Sequence, residues 1–245
     1  AVPVLDFTIA DGGTADSQPL AITGITLRAS GSAPFSKVSL SLSGPDVSDA
    51  LGVYDESSST VTFSQLPLSI GDGASENYTI SAFYTDNSGL EENQTFILSI
   101  DGDADLAVNS MGTQMSPSNA SITNATGSVV TVQAVQLAIY QAPADTRAYD
   151  GTDEVVSGLA FGTQPIVSAQ DAAGNTDTDF TDVVSVTLSS GQGALAGTQT
   201  ASASAGAATF TELTYLAATD GETFTLSFDD ETAGSGGDLP PVTSA

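Results

Sequence analysis

The chain has no cysteine, no histidine and no tryptophan, and only three basic residues, Arg28, Lys37 and Arg147, in 245. Without cysteine there are no disulfides, no thiol nucleophile and no thiolate metal site. Without histidine, a Ser-His-Asp triad and a His-ligated zinc site lack an essential part, and three bases are too few to build a phosphate clamp. The missing tryptophan removes the usual platform for stacking a sugar ring, which weighs against a glycosidase built on paired carboxylates. Catalysis is therefore not expected. No apolar run approaches the ~20 residues that span a bilayer, and no basic segment followed by an apolar one opens the chain.

What the chain has instead is acid. Asp and Glu total 30, giving a formal charge of −27, which repels phosphate backbones and anionic headgroups and so excludes nucleic acid and membrane insertion as expected partners. Yet only 13% of residues are charged while 40% are hydrophobic, with a mean hydropathy of +0.09. That is too apolar for a disordered acidic tail, so a folded core is expected. The start at Ala1 rather than Met suggests a processed or excised piece of something longer.

Short segments alternating with period two recur from end to end, separated by Gly, Asp, Asn, Ser and Pro. Examples are 22–27 (ITGITL), 38–42 (VSLSL), 60–63 (TVTF), 78–84 (YTISAFY) and 95–100 (TFILSI). The second half continues with 136–140 (QLAIY), 165–169 (PIVSA), 183–188 (VVSVTL), 207–210 (AATF) and 223–228 (TFTLSF). This pattern predicts an all-β fold of two tandem β-sandwich modules. Strand endings place a boundary near 133: a module over 1–132, a second over 133–230, and a flexible acidic linker or tail over 231–245, which is rich in Gly, Pro and Ser.

In the second half the order is strand, D-x-x-G-N turn (171–175), strand (184–189), Gly-rich turn (191–197, GQGALAG), then GAATF (206–210) and GETFTL (221–226). Asp171 is suited to cap the turn's own amides, and Gly174 and Asn175 tolerate positive φ. This succession resembles the bacterial immunoglobulin-like modules of invasin- and intimin-type surface adhesins. The first half bears a weaker resemblance, through 5–13 (LDFTIADGG), Tyr54 and 60–63, to modules found in tandem in very large exported proteins. The resemblance implies an immunoglobulin-like second sandwich, a secreted or cell-surface location, and a structural or adhesive role as a stiff extender or presenting unit. Two alternatives stay open. One is a module binding carbohydrate or a receptor through loop Tyr and Asp residues, with a cell-surface glycan or protein as partner. The other is a subunit of a homopolymeric filament whose residues 1–9, or whose C-terminal tail, pair with a like subunit's sheet edge.

The segment 100–106 (IDGDADL) places Asp101, Asp103 and Asp105 at alternate positions after a strand. Alternating carboxylates begin several calcium loops, but Ca²⁺ takes six to eight oxygens, and the Gly and the distant Glu of an EF-hand are missing here. On an extended strand the three would share a face and repel. Two readings follow: calcium is the candidate cofactor with these three as metal ligands, or they form a solvated acidic turn. Further acidic groups, Asp150 with Asp153 and Glu154, Asp177 with Asp179 and Asp182, Asp11 with Asp16, and Asp229 with Asp230 and Glu231, read as solvated loop faces. Most phenylalanines fall at strand positions and read as core, while Tyr54, Tyr84, Tyr140, Tyr149 and Tyr215 are open to a surface role. N-x-S/T triplets begin at Asn77, Asn93, Asn119 and Asn124.

Overall fold

A computed structural model describes residues 1–12, 17–102, 104–109, 121–125, 127–144, 155–230 and 237–244. The all-β expectation holds: these residues form twenty strands, a single 3₁₀ turn at Phe35–Lys37, and no α-helix. Every pairing among the strands is antiparallel. The chain divides into two compact units, Ala1–Val130 and Thr131–Ala245.

The first unit contains β1 (Val2–Ala10), β2 (Leu20–Ser30), β3 (Val38–Gly44), β4 (Val47–Leu51), β5 (Val53–Asp55), β6 (Thr60–Ile70), β7 (Ser75–Tyr84), β8 (Thr95–Ile100), β9 (Leu106–Val108), β10 (Ile122–Thr123) and β11 (Ser128–Val129). One sheet runs β1-β7-β3-β4. The other runs β10-β8-β2-β6-β5, with β11 also on β8 and β9 also on β2. Alternation explains how the two enclose one core. In β1, Leu5, Phe7 and Ile9 point inward while Asp6 and Thr8 face out, and from the opposite sheet Leu27, Phe63, Ile70 and Leu98 are fully buried. Each such side chain stabilises the unit by about 1.5–3 kcal/mol.

The period-two pattern shifts phase in β2, from Leu20 and Ile22 to Ile25 and Leu27, and again in β6. Val61 and Phe63 are buried, then Leu66, Leu68 and Ile70, so the inward face shifts phase between them. Gln65 at φ 56° makes the change, and the register with β2 slips between Ile22 and Gly24 at the same level. Such a bulge re-aims the rest of a strand without ending it.

Residues 1–9, weighed above as a strand lent to a neighbour, are paired within their own sheet: β1 lies against β7 from Val2↔Ala82 to Ala10↔Ser75. Their three inward apolar side chains are buried in this unit's core, which is what holds the segment in place.

The second unit contains β12 (Gln136–Gln141), β13 (Ile166–Gln170), β14 (Val183–Ser190), β15 (Ala194–Ala196), β16 (Thr200–Ser202), β17 (Ala207–Thr209), β18 (Thr214–Leu216), β19 (Thr225–Asp230) and β20 (Val242–Thr243). They form sheets β12-β13-β17, β16-β14-β19-β20 and β15-β18. Their shared core includes Val167, Val186, Ala208, Phe210, Tyr215, Leu226 and Phe228.

The expectation of a flexible tail over 231–245 is corrected across its described part. Leu239 is only 4% exposed and joins the core, and β20 pairs with β19 through Ser227↔Thr243 and Phe228↔Val242. Pro240 and Pro241 fix extended backbone just ahead of β20, so they deliver it to the sheet edge instead of marking a loose linker.

Candidate functional site

The turn around residues 101–105 sits where β2 changes partner. Along one edge β2 pairs with β8 through Arg28↔Ser99 and with β9 through Ile25↔Leu106, and this turn connects the two. The Asp105 amide donates to the Asp101 carbonyl at 2.7 Å, and Thr26 donates its amide to the Asp105 carbonyl at 2.8 Å. That geometry carries Asp105 inward, where it is 6% exposed. Its Oδ1 accepts from Arg28 Nη2 at 2.8 Å and its Oδ2 from Arg28 Nε at 3.1 Å, and Oδ2 also accepts the Asp101 amide at 2.9 Å. The bidentate fork matches a planar guanidinium to a carboxylate. Arg28 thus supplies at Asp105 the positive charge that a bound cation would bring, and the pairing raises the Arg28 pKa. Asp103 lies outside the described residues, so the three aspartates cannot be placed as one set.

The D-x-x-G-N turn behaves as its chemistry predicts. Asp171 Oδ1 accepts the amides of Ala173 and Asn175, both at 2.9 Å, and Oδ2 accepts from Asn175 Nδ2 at 2.8 Å. Gly174 takes φ 87°, a left-handed conformation that costs glycine little.

Beyond the turn, Asp177 departs from the solvated-face expectation. It is 7% exposed. Its Oδ2 accepts the amide of Ala134 at 2.9 Å, and Oδ1 those of Asp179 and Phe180 at 3.0 and 3.1 Å. It therefore ties the segment entering the unit to the connection that follows β13. Asp179 is exposed, and Asp182 keeps one carboxylate oxygen buried without a hydrogen-bond partner. Asp177, Asp179 and Asp182 do not converge on a common point.

Glu222 was not singled out by sequence, and it gathers five donors. Its carboxylate accepts the amides of Gln192, Gly193 and Ala218, each at 2.8 Å, and of Thr219 at 3.1 Å, together with the Tyr215 hydroxyl. The Tyr215 hydrogen bond is the main reason its pKa is drawn down to about 2, with amides of Gln192, Thr219 and Gly193 adding to it against the opposing effect of burial. Tyr215 is not a surface contact: it is 2% exposed and stacks on Phe224 at 3.9 Å. The Gly-rich loop passes close to the hydroxyl end of that ring, where the Gly193 amide also donates to the Tyr215 oxygen at 3.0 Å. A Cβ at Gly193 would come within 2.2 Å of the Leu216 carbonyl and 2.7 Å of the tyrosine ring, so only glycine fits there.

Among the described residues one group of carboxylates does converge, Asp229, Asp230 and Asp238, with oxygens within 4.8 Å of one another. Asp230 is buried and has both its oxygens on the Leu239 amide, while the other two are exposed. One oxygen from each falls well short of the six to eight that calcium takes, and no metal is assigned to them.

The remaining candidates divide simply. Tyr54 stacks on Phe35, and Tyr84 tilts against Phe96 with its hydroxyl buried and unpartnered, whereas Tyr140 is 75% exposed. Asn124 donates to the Phe96 carbonyl and accepts the Leu98 amide, so its amide group is engaged in the sheet. Tyr149, Asp150, Asp153, Glu154, Glu231, Asp16 and Asn119 lie outside the described residues. Comparison with family models, with curated proteins and with solved structures returns no match.

Proposed function

We propose that the chain is a non-enzymatic structural segment of an exported surface protein, in which compact β-sandwich units extend or present whatever is attached to them. The observation that carries this reading is the use made of the acids. Asp105, Asp171, Asp177 and Glu222 each spend their oxygens on backbone amides, or on one guanidinium, of the turns that close their own unit. Carboxylates held by several fixed donors in this way serve to hold the shape of their turns, which supports a structural role. The resemblance of the second unit to bacterial immunoglobulin-like modules supports the same reading, and the strongly acidic composition suits a partner that is neither nucleic acid nor membrane.

Single-molecule pulling from the two termini tests it. A structural segment unfolds in two all-or-none events, releasing about 430–470 Å of extended chain for the first unit and about 380–410 Å for the second, less the folded length of each. Gradual extension without discrete events would overturn it. Repeating the pulls in EDTA, in millimolar calcium and in magnesium tests whether a cation adds stiffness: higher forces in calcium alone support a calcium contribution, and equal forces in all three remove it.

A further inference from the structure

The C-terminal end of the second unit buries a carboxyl group that nothing above has used. β19 ends at Asp230, in register with Val184 of β14 and only 2% exposed. Its partner is the strap formed by residues 237–244: the Leu239 amide donates to both of its oxygens, at 3.0 and 3.3 Å. The strap is also held by the buried Leu239 side chain, by Val242 packed against the core, by the two paired residues of β20, and by two bonds at Leu226. In those the Ser244 amide donates to the Leu226 carbonyl at 2.8 Å, and the Leu226 amide donates to Ser244 Oγ at 2.9 Å. The β19–β20 ladder, two residue pairs long, is shorter than the β14–β19 ladder beside it and opens more readily.

Among the described residues, the charges that bear on Asp230 all have one sign. Asp229 beside it on β19 and Asp238 on the strap bring their oxygens within 4.8 Å. β14 places Val184 and Ser185 in register with Asp230 and Asp229, and β16 is Thr-Ala-Ser, so neither strand supplies a titratable group there. Closing the strap therefore buries one carboxylate beside two others, offset by the Leu239 amide and by Asp230's own backbone amide.

We propose that the strap is a proton-sensitive latch, closing more firmly when Asp230 is protonated and loosening when it ionises. Burial is the largest influence and pushes the Asp230 carboxyl above its ordinary value of 3.8; the Leu239 amide pulls partly back, and Asp229 and Asp238 push further up. When the strap lifts, Asp230 meets water and its proton affinity falls to the ordinary level. The closed form binds the proton more tightly, so closure is favoured as pH falls from neutral toward 3.8 and is weakest above the raised pKa.

Native-state hydrogen exchange on the full chain, in EDTA throughout, reads this directly. The protection factors of the Leu239 and Ser244 amides are compared with that of Val186, whose bond to the Gln199 carbonyl lies within the β14 sheet and follows the unit as a whole. As pH falls from 7 toward 3.8 the protection of the strap amides relative to Val186 is expected to rise, by at most about tenfold per pH unit for one coupled proton. Asp230→Asn keeps an acceptor for Leu239 without the charge; its strap should be as protected at pH 7 as the native strap is at the acid end of that range, with no further pH dependence. Should that variant fail to fold, Asp238→Asn at an exposed position should raise strap protection at pH 7 by a smaller factor. A ratio that does not change with pH, or variants whose straps exchange as fast as the native one at pH 7 or faster, would overturn the latch.

Discussion

Replacing Asp177 by alanine removes the acceptor for three backbone amides, and their surroundings set the cost of each. Asp179 is exposed, so its amide finds water. The Phe180 amide keeps a second acceptor, the Asp177 carbonyl at 3.3 Å. Ala134 is 3% exposed, and its amide is left buried facing a cavity where the carboxylate had been. A hydrogen bond to a charged group contributes about 1.5–3 kcal/mol, and an orphaned buried donor costs about 1–3 kcal/mol. Asp177→Ala should therefore destabilise the second unit by about 2–4 kcal/mol. For a unit of about 115 residues, with an unfolding entropy near 2.1 cal/mol/K per residue, that lowers its midpoint by about 8–16 °C. Asp177→Asn keeps one oxygen for Asp179 and Phe180 but turns a donor toward Ala134, so it should fall between alanine and the native residue. Differential scanning calorimetry of the full chain measures both, with the first unit's transition as the internal reference. Were Asp177 an ordinary solvated acid, Asp177→Ala would stay within about 0.5 kcal/mol, or roughly 2 °C, and the clamp reasoning would be refuted.

Glu222 has a depressed pKa, so the stability it contributes is fully present above its ordinary value of 4.5 and is lost as pH falls toward about 2. Acid unfolding followed by circular dichroism should therefore lose part of its steepness over that window in Glu222→Gln, which is less stable than the native chain at pH 7; superimposable acid curves would rule this out. Phe63→Ala, at a fully buried position of the first unit, should cost about 3–5 kcal/mol through the cavity it leaves, seen in calorimetry as a fall in the first transition with the second unmoved. Arg28→Met strands the Asp105 carboxylate, whose side chain is 5% exposed. It should lower the first unit's midpoint, and Asp105→Asn added to it should restore part of the loss; a double-mutant cycle with no coupling between the two would show that Arg28 does not neutralise Asp105.

The strands were legible in the sequence because a half-buried strand must alternate apolar and polar residues, and no other local structure has period two. Segments such as 95–100 and 183–188 needed nothing more, nor did the D-x-x-G-N turn, whose bonds run between residues at most four apart. The phase change in β6 was less legible: Gln65 carries no mark of a bulge, and the conformation is imposed by register with β2.

The roles of the acids were hidden for a different reason. With 30 acids and three bases in the chain, composition makes every acidic cluster look alike, and what separates them is which amides or cations lie nearby in space. Asp105 meets Arg28 across 77 residues, Asp177 meets Ala134 across 43, and Glu222 meets Gln192 across 30. The tail was misjudged on the same ground, since its Gly, Pro and Ser content describes a linker until Leu239 is seen filling the core. The sequence alone therefore settled that this is an all-β chain without cysteine, histidine or a basic surface, because composition and period are local properties. Only the tertiary structure decided which carboxylates are buried, bonded or in conflict, because burial and charge pairing depend on strands that are neighbours in a sheet and distant along the chain.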